Sequence, residues 1–270
     1  MKHHGNMDFL NSILNNLMTD NKFSLAATEL LSRRVAGTKA PRLPADIRPE
    51  TIEEALLVQE QMAAQRNDSI GGWKCLLPFD DKVIVGPIFS DTVQTGAVCH
   101  LLVDKNKARV EPEIVFVLNK DLPAKDTDYT EDEINAAIGS CHMALELMQS
   151  RFTDDTDAEF PEKLADVLLN QGLFIGPEID REKAFTASNI NLTFTQGDII
   201  RNMEGTHPNP LPHLPVYWLI NYMSKRGTSF IKGQALTTGS YKGIVDVDFD
   251  IETTIAYEGI GEYKVTFKQL

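Results

Sequence analysis

The segment Val110-Glu111-Pro112-Glu113-Ile114-Val115-Phe116-Val117-Leu118 carries the residues with the most informative chemistry. A β-strand repeats every two residues, so Glu111 and Glu113 project from one face. Two carboxylates that close repel, and in an otherwise apolar strand the repulsion calls for a cation. A hard divalent ion with a preference for oxygen is the partner that suits them. The plain alternative is a solvated strand face with two surface glutamates. Pro112 cannot donate to a β-ladder, which predicts an edge or a bulge at this point.

Glu146 stands among Ala144, Leu145, Leu147 and Met148, where a charged group needs a reason. With Glu111 and Glu113 it would complete the protein side of an octahedral Mg²⁺ or Mn²⁺ site, leaving positions for water and a chelating substrate. The alternative for Glu146 is an ion pair with a nearby arginine such as Arg151. Lys74 follows Gly71, Gly72 and Trp73 and precedes Cys75, Leu76 and Leu77. A partly buried ammonium there would hold a substrate carboxylate or move protons, against the plainer reading of a solvent-facing strand lysine. In Leu236-Thr237-Thr238-Gly239-Ser240, Thr238 and Gly239 form a hydroxyl-bearing turn suited to a carboxylate, although such turns are common. His100, His142, His207 and His213 share no compact ligand spacing and read as packing or surface residues. His3 and His4 are left out of the site. No nucleophile elbow, dinucleotide-binding glycine motif or phosphate loop occurs.

Composition sets the frame. At 270 residues and 42% hydrophobic content the chain has enough apolar material for a substantial core. Its formal net charge of −13 gives no general attraction to nucleic acid or to anionic membranes. A small anionic substrate would need a metal or buried basic groups to reverse the local field. Cys75, Cys99 and Cys141 are odd in number and widely spaced, which suggests neither disulfides nor a thiolate metal site. With no signal-like segment and no long apolar run, a soluble cytoplasmic protein is expected.

The elements that must position these residues fall into two textures. Residues 1–69 read as a helical N-terminal portion. Phe9, Leu10, Ile13, Leu14, Leu17 and Met18 make one apolar stripe, a short helix follows Ser24, and Thr51 with Glu54 caps a third helix. Residues 70–270 read as a β-rich core. Strands are expected over 70–77, 83–89, 97–103, 109–118, 143–148, 245–251 and 263–267, and a hairpin turns at Gln196-Gly197-Asp198. Helices are expected from Thr130 to about Ser140, from Lys163 to near Gly172, and over 212–226 with Gly227 as the stop. Residues 151–162 read as a polar surface loop or lid. The fold class is α+β, with a mixed, mostly antiparallel sheet.

Taken in order, Arg48-Pro49-Glu50-Thr51-Ile52, Gly72-Trp73-Lys74, Glu111-Pro112-Glu113-Ile114, Ala144-Leu145-Glu146 and Thr238-Gly239 resemble the fumarylacetoacetate hydrolase superfamily. The resemblance is to its 2-keto-4-pentenoate hydratase and 4-oxalocrotonate decarboxylase branch. It implies a Mg²⁺ or Mn²⁺ ion held by Glu111, Glu113 and Glu146, with Lys74 as catalytic residue and Thr238 and Gly239 as substrate-binding residues. The implied activity is that of a hydro-lyase acting on a small 2-hydroxy-dienoic or 2-oxo acid of aromatic compound catabolism, with homo-oligomers common among relatives. Decarboxylation of a 2-oxo dienedioate at the same site is the neighbouring reading, and a catalytically impaired binding protein is another. Four places depart from the family pattern, one of them Gly233-Gln234 in place of a G-D before the T-G turn. Val83-Ile84-Val85-Gly86 lacks an expected acidic residue, Leu168-Leu169-Asn170-Gln171 replaces a D-N-A-S segment, and Asn209-Pro210-Leu211-Pro212 replaces a G-H-P-L loop.

Overall fold

The computed structural model describes residues 21–35, 38–154 and 157–270. The apolar stripe from Phe9 to Met18 lies outside them. In chain order come helix α1 over 21–33, α2 (Ile52–Gln65), then strands β1 (Ile70–Phe79), β2 (Lys82–Phe89), β3 (Val93–Gln94), β4 (Val98–Leu101) and β5 (Ala108–Leu118). Next are α3 (Glu131–Ala137), β6 (Ile138–Met148), α4 (Phe160–Ala165), β7 (Asn170–Ile179) and α5 (Arg181–Thr186). The chain closes with β8 (Asn189–Gln196), β9 (Ile199–Thr206), α6 (Leu214–Ser224), β10 (Ala235–Thr237), β11 (Val245–Val247), β12 (Glu252–Tyr257) and β13 (Gly261–Gln269).

Two compact units result: Met1–Asn67 with Arg151–Leu168, and Asp68–Ser150 with Leu169–Leu270. The first is helical in its described residues. Thr51 accepts the amide of Glu54 to start α2, and α2 packs on α4, where Gln59 Nε2 donates to the Leu164 carbonyl at 2.6 Å. Residues 151–162 were expected to be a polar surface loop or lid. Thr153, Asp154, Asp157 and Glu159 are exposed, but Arg151, Phe152, Ala158 and Glu162 are buried, the two charged ones because they find internal partners. Arg151 Nε meets Asp166 at 2.6 Å, and Glu162 takes Arg42, Arg48 and the amide of Leu43. The expected helix from Lys163 to Gly172 is also corrected. It ends at Ala165, because Val167, Leu168 and Leu169 adopt φ of 58°, 51° and 70°, a left-handed run that no helix contains, and the chain then enters β7.

The second unit holds two sheets. One is eight-stranded, ordered β2-β1-β10-β5-β6-β7-β3 with β11 also on β5, and the other is five-stranded, ordered β4-β13-β12-β8-β9. Most pairings are antiparallel, while β1 with β10, β3 with β7 and β4 with β13 are parallel. This is the α+β class expected. The single strand expected over 245–251 forms only at β11, and the chain then turns through Asp250, with φ 65°, before β12 begins at Glu252.

Pro112 lies neither on an edge strand nor at a bulge. β5 is interior, paired to β6 from Val110 to Leu118, yet its other side meets β11 at 108–110 and β10 at 115–117 only. The proline falls in the opening between them, where no ladder donor is required. Across the large sheet, cross-strand partners align Lys74 with Thr237, Thr237 with Val115, Glu113 with Ala144, and Glu111 with Glu146. One face therefore carries both the charged residues and an apolar cluster of Ile88, Val115, Ala144, Leu173 and Ala235, all buried. The cluster packs the middle of that face and leaves its acidic end as the site.

Candidate metal centre

Register alone brings the three glutamates together. Glu111 and Glu113 share a face of β5, and the antiparallel partner of Glu111 on β6 is Glu146. Carboxylate oxygens of all three lie within 4.8 Å of one another. Glu113 and Glu146 are each 1% exposed, and Glu111 is partly buried. Lys74, on β1, reaches the same point and donates from Nζ to Glu146 Oε1 at 2.6 Å. Glu146 is thus paired with Lys74, whereas Arg151, its expected alternative partner, binds Asp166.

Glu113 is held from the opposite side. Its Oε2 accepts from the Thr237 hydroxyl and from the Gly239 amide at 3.0 Å. Behind it, the Tyr257 hydroxyl of β12 lies 3.2 Å from the Glu113 carbonyl and 3.1 Å from that of Ala144. Gly239 has φ +115°, and a Cβ there would come within 2.5 Å of Leu76 Cδ2 and 2.7 Å of Pro208 Cγ, so the turn admits only glycine. The neighbouring Thr238 is 1% exposed, with its hydroxyl 3.4 Å from His207 Nε2. Of the proposed turn pair, Gly239 lines the cavity beside the glutamates; Ser240, its next residue, does so too.

That cavity, about 250 Å³, is lined by Lys74, the three glutamates, Leu76, Ile84 and Pro208 among others. It falls below the roughly 300–1,000 Å³ of sites for drug-sized ligands, so it suits a small molecule. Ile84 stands opposite Leu76 on the β1–β2 pair, so both face inward. The segment Val83 to Gly86 that lacks an acidic residue therefore contributes an apolar wall. The loop that enters the cavity is His207-Pro208, upstream of the Asn209–Pro212 stretch singled out in the sequence. His207 itself packs, 5% exposed and edge-on to Tyr241.

Asn170 is the residue sequence reasoning left unassigned. It is the first residue of β7, 1% exposed, and its Nδ2 donates to Glu146 Oε1 at 2.9 Å. The departure from a D-N-A-S segment marked the place. Its long-range partner was not readable.

Electrostatics follow from the count. Three carboxylates face one ammonium. Burial, then the charge of Glu146, pushes the Glu111 carboxyl up to about 7 despite Lys74 and Arg109. Burial and both neighbouring glutamates push Glu113 well above the usual carboxyl range, against Lys74 and the Gly239 amide. Burial disfavours the Lys74 cation, but Glu146, Glu111 and Glu113 together raise its pKa. An all-oxygen donor set with two net negative charges is the chemistry that a hard divalent cation balances.

Comparison with known proteins adds likenesses of sequence and of fold. No family model matches the sequence. The 2-keto-4-pentenoate hydratase of Paraburkholderia phymatum is 28% identical over 163 residues, covering 60% of this chain and 61% of that protein. The hydratase of the same name from Burkholderia vietnamiensis is 26% identical over 163 residues. The chain thus spans about 61% of the length of the curated relatives it matches. The structure of 4-oxalocrotonate decarboxylase from Pseudomonas putida G7, complexed with magnesium and adipate, superposes with a TM-score of 0.72 at 18% identity over 92% of this chain and 98% of that one. Fumarylpyruvate hydrolase from Pseudomonas aeruginosa, in complex with Mn²⁺ and pyruvate, gives 0.51 at 12% identity over 76% and 94%. Among the described residues no helix is long and apolar enough to cross a membrane.

Proposed function

We propose that this chain stands with the hydratase and decarboxylase branch of the fumarylacetoacetate hydrolase superfamily and is a divalent-metal-dependent hydro-lyase for a small 2-hydroxy-dienoic or 2-oxo acid. Its likeness to the curated hydratases and to the decarboxylase fold supports the assignment. The observation that carries this reading is the meeting of Glu111, Glu113 and Glu146 within 4.8 Å at a cavity of about 250 Å³ with Lys74. Glu111, Glu113 and Glu146 would hold a divalent cation, Mg²⁺ or Mn²⁺ in this reading; structural neighbours are complexed with magnesium, calcium and manganese. A cation there supplies positive charge for the negative charge that develops on the substrate's 2-oxygen.

The chain's own groups do the rest. Lys74 Nζ would hold the substrate carboxylate or pass a proton to the carbon chain, with Glu146 keeping the ammonium in place. Gly239, which lines the cavity, would frame the substrate's carboxylate end, with the buried Thr238 fixing the turn from behind. Leu76, Ile84 and Pro208 would exclude bulk water around the carbon tail, so that the water that adds is the one the site positions.

Decarboxylation of a 2-oxo dienedioate is the second reading, and the wall of Leu76 and Ile84 is the observation that favours it. Losing CO₂ takes a carboxylate out of apolar surroundings, its electron pair passing into the conjugated 2-oxo unit, where a proton delivered by Lys74 would be taken up. The test is incubation of the Mg²⁺-loaded protein with 2-hydroxypenta-2,4-dienoate and, separately, 2-oxo-hex-3-enedioate, following their ultraviolet absorbance. Loss of the first without gas is hydration, and CO₂ from the second is decarboxylation. A folded, metal-binding sample that consumes neither overturns both and leaves a binding protein.

A further inference from the structure

Each of the two buried glutamates has one oxygen already occupied. Glu146 Oε1 accepts from Lys74 Nζ at 2.6 Å and from Asn170 Nδ2 at 2.9 Å. Glu113 Oε2 accepts from the Thr237 hydroxyl and from the Gly239 amide at 3.0 Å. Among the described residues no hydrogen bond reaches Glu113 Oε1, Glu146 Oε2 or either oxygen of Glu111. An oxygen that takes two donors has both lone-pair directions filled. Each buried carboxylate is left with a single open oxygen.

The donors responsible are themselves fixed. Asn170 spends its amide nitrogen on Glu146 and on the Gly172 carbonyl at 3.2 Å, which sets the orientation of the side chain. It follows Leu169, whose left-handed φ of 70° is unfavourable for a branched apolar residue. Thr237 is fully buried on β10, in register with Lys74 on one side and Val115 on the other. Neither residue is among those lining the cavity.

We propose that Asn170 and Thr237 are positioning residues that limit Glu146 and Glu113 to one ligand oxygen each and thereby set a preference for a small octahedral cation over calcium. The inference rests on the metal reading above. Calcium takes roughly 6–8 oxygens and commonly uses both oxygens of a carboxylate, whereas magnesium takes six at a short, rigid distance, with water or substrate completing the shell. Two carboxylates that cannot turn a second oxygen inward serve the latter and handicap the former.

The experiment is calorimetric titration of the metal-stripped full chain with Mg²⁺, Mn²⁺ and Ca²⁺ separately, for the native protein and for Asn170→Ala, Thr237→Val and Thr237→Ser. The native chain is expected to bind Mn²⁺ and Mg²⁺ more tightly than Ca²⁺. Asn170→Ala and Thr237→Val should weaken Mn²⁺ binding by about 10–100-fold, the usual effect of removing a group that orients a ligand. Calcium should lose less, so the Mn²⁺-to-Ca²⁺ preference narrows, while Thr237→Ser keeps the hydroxyl and the native ratio. Should Asn170→Ala fail to fold, the two Thr237 variants carry the test. Calcium binding as tight as magnesium in the native chain, or an unchanged ratio in both Asn170→Ala and Thr237→Val, overturns the positioning role and leaves the metal centre standing. A native chain that binds none of the three cations overturns the metal centre itself.

Discussion

The protein buries charge in two places and treats it in opposite ways. In the first unit Asp166 and Glu162 each face guanidinium groups, Arg151 in one case and Arg42 with Arg48 in the other, so charge is matched locally. In the second, Glu111, Glu113 and Glu146 share Lys74, and two of the three carboxyls are pushed upward. Burial is expensive in both, and only the first is compensated by protein alone. Matched pairs brace a fold; an unmatched cluster on a cavity is a place built for something that arrives from solution.

The largest effect should come from breaking the matched side. Asp166→Ala leaves Arg151 buried and unpaired and should cost about 3–5 kcal/mol in denaturant unfolding. On the unmatched side, saturating Mg²⁺ at about 100 times its Kd should add about 2.7 kcal/mol of stability, read as a rise in melting temperature. The same rise should vanish in Glu111→Ala and Glu146→Ala. Glu113→Gln imitates the protonated acid, so it should shift metal-free stability by no more than about 1 kcal/mol while also removing the cation response. A large loss in that variant would mean that the cluster is structural after all.

The gentlest probe is pH. A carboxyl that rises from an ordinary 4.5 to about 7 on folding keeps a proton that the unfolded chain has already lost between those values. The contribution of Glu111 to metal-free stability should therefore be full below pH 4.5, decline as pH rises through 7, and level off above it. Glu111→Gln should flatten that decline. With saturating Mg²⁺ present the decline between those values should disappear, because the cation displaces the proton from the folded state and its affinity grows up to about pH 7. An identical profile with and without cation would separate Glu111 from the site.

Much of the centre was legible because its signals are local. Strand period put Glu111 and Glu113 on one face, and an isolated Glu146 in an apolar run marked the third carboxylate. The helix start at Thr130 was likewise readable, and both hydrogen bonds of its capping box with Glu133 form. What escaped was decided by distant partners. Val167, Leu168 and Leu169 have no intrinsic leaning toward a left-handed backbone, so the end of α4 and the strand after it were read as one helix. Pro112 looked like an edge because an opening inside a sheet depends on where β10 and β11 happen to stop. Asn170 could not be linked to Glu146 from sequence, since 24 residues separate them.

Tyr257 gives the arrangement a further consequence. Its hydroxyl, sent from the five-stranded sheet, sits between the carbonyls of Glu113 and Ala144, and a single proton serves both. The second sheet thus acts as a buttress against the rear of the acidic strands. A change far out on β12 or β13 has a direct mechanical route to the glutamates, so loss of chemistry here need not begin with a residue that ever meets a ligand.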